Sequence, residues 1–114
     1  MEISFATKKL EKAFREGRSL HAIHGERRAR LIMRRIQVLR AANCLGDFWP
    51  PYSGPERCHE LSGNRAGQLS MDLDHPYRLI FAPDHTPHPM RPEGGLDWHQ
   101  VTAISILGVE DTHD

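Results

Sequence analysis

Hydrophobic and polar residues follow two different periods in the first part of the chain. Ile3 and Phe5 alternate with polar neighbours, as in a short strand with one buried face. Thr7 belongs to a residue type that caps helix N-termini, and apolar residues recur after it at helical spacing until near Gly17. The pattern therefore predicts an N-terminal strand followed by a helix.

A second helix is predicted from about Ser19, with Gly25 as a weak point. Its most regular part runs from Glu26 to Ala42, where five apolar residues share one face. These residues are Ala29, Ile32, Met33, Ile36 and Leu39.

Arginines occupy the opposite side of this helix. Arg27, Arg30 and Arg34 line up there, with Arg28 and Arg35 at the edge. Such a row is either an ordinary solvated face or a strip that binds phosphate groups, and the solvated face is the interpretation we favour.

The second half of the chain shows the period of strands. Leu69, Met71 and Leu73 alternate with polar residues, and a corner at 74–76 leads into a second strand at 77–82, which together form a hairpin. The segment 101–109 is apolar on both parities, as a central strand covered on both faces would be.

Two segments rich in proline and glycine, 43–55 and 83–95, are predicted to be loops. Phe48, Trp49 and Tyr52 in the first loop are expected to pack against the core. His85 and His88 in the second have a spacing compatible with metal binding, but no cysteine accompanies them and no helix would aim them, so no metal is expected.

The order of the elements, one strand, two helices and then three strands, predicts an α+β fold with the helices on one face of a largely antiparallel sheet of about four to five strands. A length of 114 residues fits one domain over 1–114. No apolar run is long enough to span a bilayer, so we expect a cytoplasmic protein with Cys44 and Cys58 reduced.

A formal net charge of zero conceals an uneven distribution of charge. Residues 1–65 contain 13 Lys and Arg against 7 Asp and Glu, whereas residues 66–114 contain 2 against 8. The basic half could face a polyanion, or the two halves could pair with each other in the fold.

A block near the middle of the chain resembles the HigB-type killer toxins of the RelE superfamily. The block is similar to that family's "LxGxRxGQxS … (W/Y)RxxF" pattern, and the chain end is similar to its closing "V-D-Y-H". The matching residues are Leu61, Gly63, Arg65, Gly67, Gln68, Ser70, Tyr77, Arg78 and Phe81, and then Val109, Glu110, Asp111, Thr112 and His113. The resemblance covers nearly the whole chain except a proline-rich insertion at about 83–98.

This resemblance implies a RelE-like fold and the toxin of a toxin–antitoxin (plasmid maintenance) system. Such a toxin is a ribosome-associated mRNA endoribonuclease and is silenced by a helix-turn-helix, HigA-like antitoxin. The reaction needs no metal or other cofactor, because the 2′-hydroxyl attacks the adjacent phosphate. The site needs a base, cations on the phosphate and an acid for the leaving oxygen.

The resemblance assigns these roles to particular residues. Proton transfer falls to His59, Asp111 and His113. Phosphate binding falls to Arg65 and Arg78, whose planar guanidinium groups suit phosphate oxygens. The helix arginines Arg27, Arg30 and Arg34 would add to the RNA-binding surface.

Two other hypotheses stay open. Thr112 stands where the family has a tyrosine and the chain is neutral, which favours a catalytically impaired protein that binds a helix-turn-helix antitoxin as an interaction and regulatory module. Apart from both hypotheses, a purely structural interpretation of each residue makes His59 a strand-edge residue, pairs Arg78 with Asp72 or Asp74 across the hairpin, and assigns His113 to a frayed tail. A metal-binding protein would depend on the loop histidines alone.

Overall fold

The computed structural model describes residues 1–111 and shows an α+β architecture with three helices and five strands. The helices are α1 (Lys8–Arg15), α2 (Gly17–His24) and α3 (Glu26–Ala41). The strands are β1 (Glu2–Phe5), β2 (His59–Glu60), β3 (Leu69–Asp72), β4 (Tyr77–Pro83) and β5 (Ala103–Asp111). The predicted α+β class is confirmed.

The five strands form one mixed sheet in the order β1-β5-β4-β3-β2. The pairs from β5 to β2 are antiparallel, whereas β1 runs parallel to β5. The first strand thus lies beside the last, with the helices as the connection between β1 and the rest of the sheet. This arrangement brings the C-terminal half of β5 next to the β3–β4 hairpin.

Glycine and a threonine cap determine where the helices begin and end. The Thr7 hydroxyl accepts a hydrogen bond from the Leu10 amide at 3.1 Å, as predicted for the start of α1. At Gly25 the backbone has φ +80°, which a helix cannot contain, so the predicted second helix is two helices, α2 and α3.

The core lies between the helices and one face of the sheet. From α3, Ala29, Ile32, Ile36 and Leu39 are buried in the same cluster as strand residues such as Met71, Leu79, Phe81, Ile104 and Ile106. In β5 only Ile104 and Ile106 are fully buried, while their neighbours are partly exposed. The prediction of a strand covered on both faces was therefore wrong for most of β5.

The two predicted loops carry side chains both into the core and onto the surface. Phe48 packs against the core as expected, but Trp49 and Tyr52 are 43% and 51% exposed, which corrects the prediction for these two rings. Both follow a 3₁₀ turn and flank two prolines that hold the chain at the surface. In the proline-rich segment, Trp98 is buried and its indole N–H donates to Glu60 at 3.0 Å.

Within residues 1–111, no helix is both long enough and apolar enough to cross a membrane.

Candidate functional site

The register of β3, β4 and β5 places three charged residues in one row across the sheet. Asp72 is directly opposite Arg78, and Arg78 is directly opposite Glu110. Directly paired residues project to the same face, and successive residues of a strand to opposite faces. Because Leu79 belongs to the core beneath the helices, this row lies on the outer face of the sheet, away from the helices.

Arg65 reaches the same row from the turn before β3. Its two terminal nitrogens donate to the two carboxylate oxygens of Glu110 at 2.9 and 2.8 Å, and its Nε donates to Gln68 at 2.9 Å. Gly63 and Gly67, with φ of +64° and +92°, shape the turn that carries Arg65. The hydrogen bonds to Glu110 raise the pKa of Arg65, which is already fully protonated in water.

The other end of the row holds a second group of ion pairs. Asp72 Oδ1 lies 3.4 Å from Arg78 Nε, and Asp72 Oδ2 lies 3.2 Å from Arg57 Nε. Oδ1 is buried and has no hydrogen-bond partner within the described part of the chain, so the contact with Arg78 is an ion pair without hydrogen-bond geometry. The Arg78–Asp72 pairing across the hairpin is thus confirmed.

These residues form an outer charge row, made of Arg57, Asp72, Arg78, Glu110 and Arg65. Three guanidinium groups alternate with two carboxylates, so a phosphate group that binds here must compete with Asp72 or Glu110. Phosphate presents the same paired oxygens to arginine as a carboxylate does. With Arg65 34% and Glu110 42% exposed, that exchange can take place in contact with solvent.

His59 is held inside this part of the structure. The ring is 7% exposed, its Nδ1–H donates to the Arg57 carbonyl at 2.8 Å, and its Nε2 is 3.3 Å from the Ser70 hydroxyl. Tyr52 stacks on the ring at 4.2 Å between centroids. Proton exchange with RNA would require Tyr52 to move, so this packing favours a structural role, and the predicted role in proton transfer stays a prediction.

The other two proton-transfer candidates lie at the end of the chain. Asp111 is opposite Tyr77 in the register, and strand alternation places it on the face opposite to that of Glu110. The structure therefore does not bring Asp111 onto the outer charge row with Arg78. Thr112 and His113 lie outside the described residues.

The helix arginines fall into two groups. Arg27, Arg30 and Arg34 are exposed beside Leu31 on the solvent side of α3, where Arg30 pairs with Glu26. They share one helix surface, but it belongs to the helical layer and not to the outer face that carries Arg78.

Arg28 and Arg35 are turned toward the sheet. Arg28 donates to both oxygens of Asp74 at 2.9 and 3.1 Å and lies 3.5 Å over the Tyr77 ring. This pair lowers the pKa of Asp74. Arg35 is buried and donates to the Asp72 carbonyl at 2.8 Å. Both arginines thus fasten α3 to the hairpin.

The sequence alone did not indicate two members of the outer charge row, Arg57 and Glu110. Glu110 was quoted only as part of the closing block, although it is adjacent to Asp111, and Arg57 lies in a segment without clear periodicity. Their role depends on strand register, and only the Asp72–Arg78 pair could be foreseen from the hairpin.

No protein-family model matches the chain, and no curated protein is significantly similar to it. Among the residues that the structure describes, no three His, Cys, Asp or Glu side chains are grouped so as to hold a metal ion.

Proposed function

We propose that this protein is a HigB-type toxin with a RelE-like fold, and that it cleaves mRNA on the ribosome. The observation that carries the proposal is the position of Glu110 at the end of β5: Arg65 binds its carboxylate, and Arg78 is opposite it in the β4–β5 register. These are the two arginines to which the family resemblance assigns phosphate binding. A mixed five-stranded sheet with an N-terminal strand and helices is consistent with that fold.

The chemistry requires a cation pair at a single phosphate. In the proposed reaction the 2′-oxygen attacks the adjacent phosphorus, the bond to the 5′-oxygen breaks, and the products are a 2′,3′-cyclic phosphate and a 5′-hydroxyl. A base removes the proton of the 2′-hydroxyl, and an acid supplies one to the leaving oxygen. Arg65 and Arg78 stabilise the charge that develops on the non-bridging oxygens.

Glu110 has a defined part in this proposal. In the unbound protein it occupies the Arg65 fork and keeps the guanidinium in place. A phosphate would take over these hydrogen bonds, because both anions offer two oxygens to the planar group. The Arg65 side chain is thereby oriented before substrate binds, which lowers the entropic cost of binding. His113 remains the proposed proton-transfer group, because strand alternation places Asp111 on the face opposite to that of Arg78.

The proposal includes a partner and a location. The toxin would act in the cytoplasm and be silenced by a helix-turn-helix, HigA-like antitoxin. The exposed arginines of α3, Arg27, Arg30 and Arg34, would add a second contact with ribosomal RNA.

Induction in cells tests the proposal. Wild type should stop growth and produce mRNA fragments, whereas Arg78→Ala should do neither. Arg15→Ala serves as a matched control, because it removes an exposed arginine on α1 that pairs with Glu11 and has no part in the proposed RNA contacts, and it should remain toxic. If the wild type leaves growth and mRNA intact, the nuclease proposal fails.

A second candidate is a catalytically impaired member that binds an antitoxin as a regulatory module. It is favoured by the carboxylates that pair with Arg65 and Arg78 in the described structure. Under this hypothesis Glu110 and Asp72 are permanent partners, and no variant cleaves RNA. Co-expression with a helix-turn-helix protein encoded next to this chain would then give a stable complex without toxicity.

A further inference from the structure

Two exposed aromatic rings lie in the loop that precedes β2, and one of them, Tyr52, is next to Arg57 of the outer charge row. Trp49 is 43% and Tyr52 is 51% exposed, whereas Trp98, Phe81 and the other large core rings are buried. Each exposed ring has an arginine near it: Arg57 is 5.1 Å from the Tyr52 centroid, and Arg91 is 5.9 Å from the Trp49 centroid. Aromatic rings with neighbouring arginines are what proteins use to hold unpaired bases and their phosphates.

The rings are held in position. Tyr52 stacks on His59, which is itself fixed by hydrogen bonds to Arg57 and Ser70. Trp49 contacts the buried Trp98 edge to face at 5.1 Å between centroids. Rings that are fixed on one side and exposed on the other lose little conformational entropy when a planar ligand binds.

The backbone supports a specific role for this loop. Among residues 1–111, Tyr52 and Arg57 are the only non-glycine residues with positive φ, at +67° and +48°. A left-handed backbone costs free energy for side chains of this kind, and such conformations cluster at binding sites. The two strained positions are thus the ones that present an exposed ring and the arginine beside it.

The Tyr52 ring is connected to the outer charge row through Arg57. Arg57 both approaches the Tyr52 ring and pairs with Asp72, which in turn pairs with Arg78. Trp49 and Tyr52 are three residues apart, so their Cα atoms are at most about 11 Å from each other. A short stretch of single-stranded nucleic acid is therefore long enough to span the two rings, and Arg57 and Asp72 connect the Tyr52 end to Arg78.

We propose that Trp49, Tyr52, Arg57 and Arg91 form a binding track for single-stranded RNA that leads to Arg78, with bases stacked on the two rings and phosphates on the two arginines. This inference rests on the proposed function, because it supplies the substrate-binding part of that site. Recognition by stacking selects unpaired bases, so the track excludes a rigid duplex.

The test uses the full-length protein and a short unstructured oligoribonucleotide in which every 2′-hydroxyl is methylated, so that attack by the 2′-oxygen is blocked. Trp49→Leu and Tyr52→Leu should each weaken binding by about 5- to 150-fold, since each removes one stacking platform. Tyr52→Phe and Trp49→Phe keep a ring and should bind nearly as wild type does. Ile23→Ala, an exposed apolar position on α2, is the control and should not change binding.

Tryptophan emission gives a readout that does not depend on the leucine variants. In the wild type, the oligonucleotide should quench the exposed Trp49, and in Trp49→Phe the buried Trp98 should give almost no response. The same RNA in duplex form should bind more weakly. Thermal unfolding of each variant confirms that it is folded.

The proposal is overturned if the wild type does not bind the single strand, or if both folded leucine variants bind it as the wild type does. Binding of the methylated strand together with no cleavage of an mRNA carried by ribosomes would refute the nuclease function and leave the track in place. Cleavage that is unaffected by both leucine substitutions would refute the track alone.

Discussion

Arg65 and Glu110 form a two-point ion pair that joins the turn before β3 to the end of β5, with N–O distances of 2.9 and 2.8 Å. The two residues are 45 positions apart in the sequence, and the pair stands directly beside Arg78 through the β4–β5 register. The pair thus holds Arg65 at the residue that is opposite Arg78 in the register of the sheet.

Glu110→Gln should release the Arg65 fork without removing it. We expect tighter binding of single-stranded RNA and a steeper dependence of affinity on salt, because one more guanidinium becomes available to phosphate. Stability should fall by no more than about 1 kcal/mol, since the pair is partly exposed to solvent.

Glu11→Gln provides the matched control for this experiment. It makes the same change in net charge, but Glu11 pairs with Arg15 on α1, far along the chain from the outer charge row. Binding titrations at several salt concentrations compare the two variants. If Glu110→Gln weakens RNA binding, Glu110 is a permanent structural partner and not a ligand that phosphate replaces.

The Arg28–Asp74 pair should make stability dependent on pH in the acid range. The hydrogen bond from Arg28 lowers the pKa of Asp74 below its ordinary value of 3.8. The Asp74 carboxylate therefore binds a proton more readily in the unfolded chain than in the folded protein. The stabilisation that the pair gives to the folded protein is present above about pH 4 and is lost as pH falls through the lowered pKa.

Asp74→Asn should reduce the free energy of unfolding by about 1–2 kcal/mol at pH 7, because two charge-assisted hydrogen bonds are lost at a site about one-fifth exposed. The difference from wild type should shrink below about pH 4. Urea unfolding at several pH values measures it. Glu26→Gln, which breaks the exposed pair with Arg30, should cost less than about 0.5 kcal/mol; an equal loss in both variants would refute the special role of Asp74.

His59→Gln should lower stability and leave chemistry intact. The ring is buried, stacked on Tyr52 and hydrogen-bonded at both nitrogens, so its replacement should cost about 1–3 kcal/mol. Single-turnover cleavage should keep its rate constant and pH profile. Ser70→Ala, which removes only the partner of Nε2, is the control for stability. A large loss of cleavage with unchanged thermal stability would instead restore His59 as a proton-transfer group.

The elements of this fold were largely predictable because their signals are local. The period of Ile32, Ile36 and Leu39 defined α3, and the alternation of Leu69 and Met71 defined β3. The break between α2 and α3 is at Gly25, where φ is positive. The sequence indicated this position only as a weak point within one helix. The mixed sheet was not predictable, since the parallel pairing of β1 with β5 joins segments about 100 residues apart.

The candidate site was predictable only in part. Arg65 and Arg78 came from the family resemblance, but their relation to Glu110 depends on a register that includes a bulge in β4–β5. A shift of the β4–β5 register by one residue would have placed Asp111, and not Glu110, on the outer face. Tyr52 was predicted to pack against the core and is exposed. Its left-handed backbone is rare for tyrosine, and no sequence pattern predicts it.

The most direct measurement is analysis of RNA ends after incubation of the purified protein with ribosomes that carry a defined mRNA. The account predicts fragments that end in 2′,3′-cyclic phosphate and begin with 5′-hydroxyl from the wild type, with a rate reduced about 100-fold or more in Arg78→Ala, as expected when a charge-stabilising donor is removed. Arg15→Ala, at an exposed position of α1, should cleave at nearly the wild-type rate. Intact mRNA with the wild type, or equal cleavage by Arg78→Ala, would contradict the account.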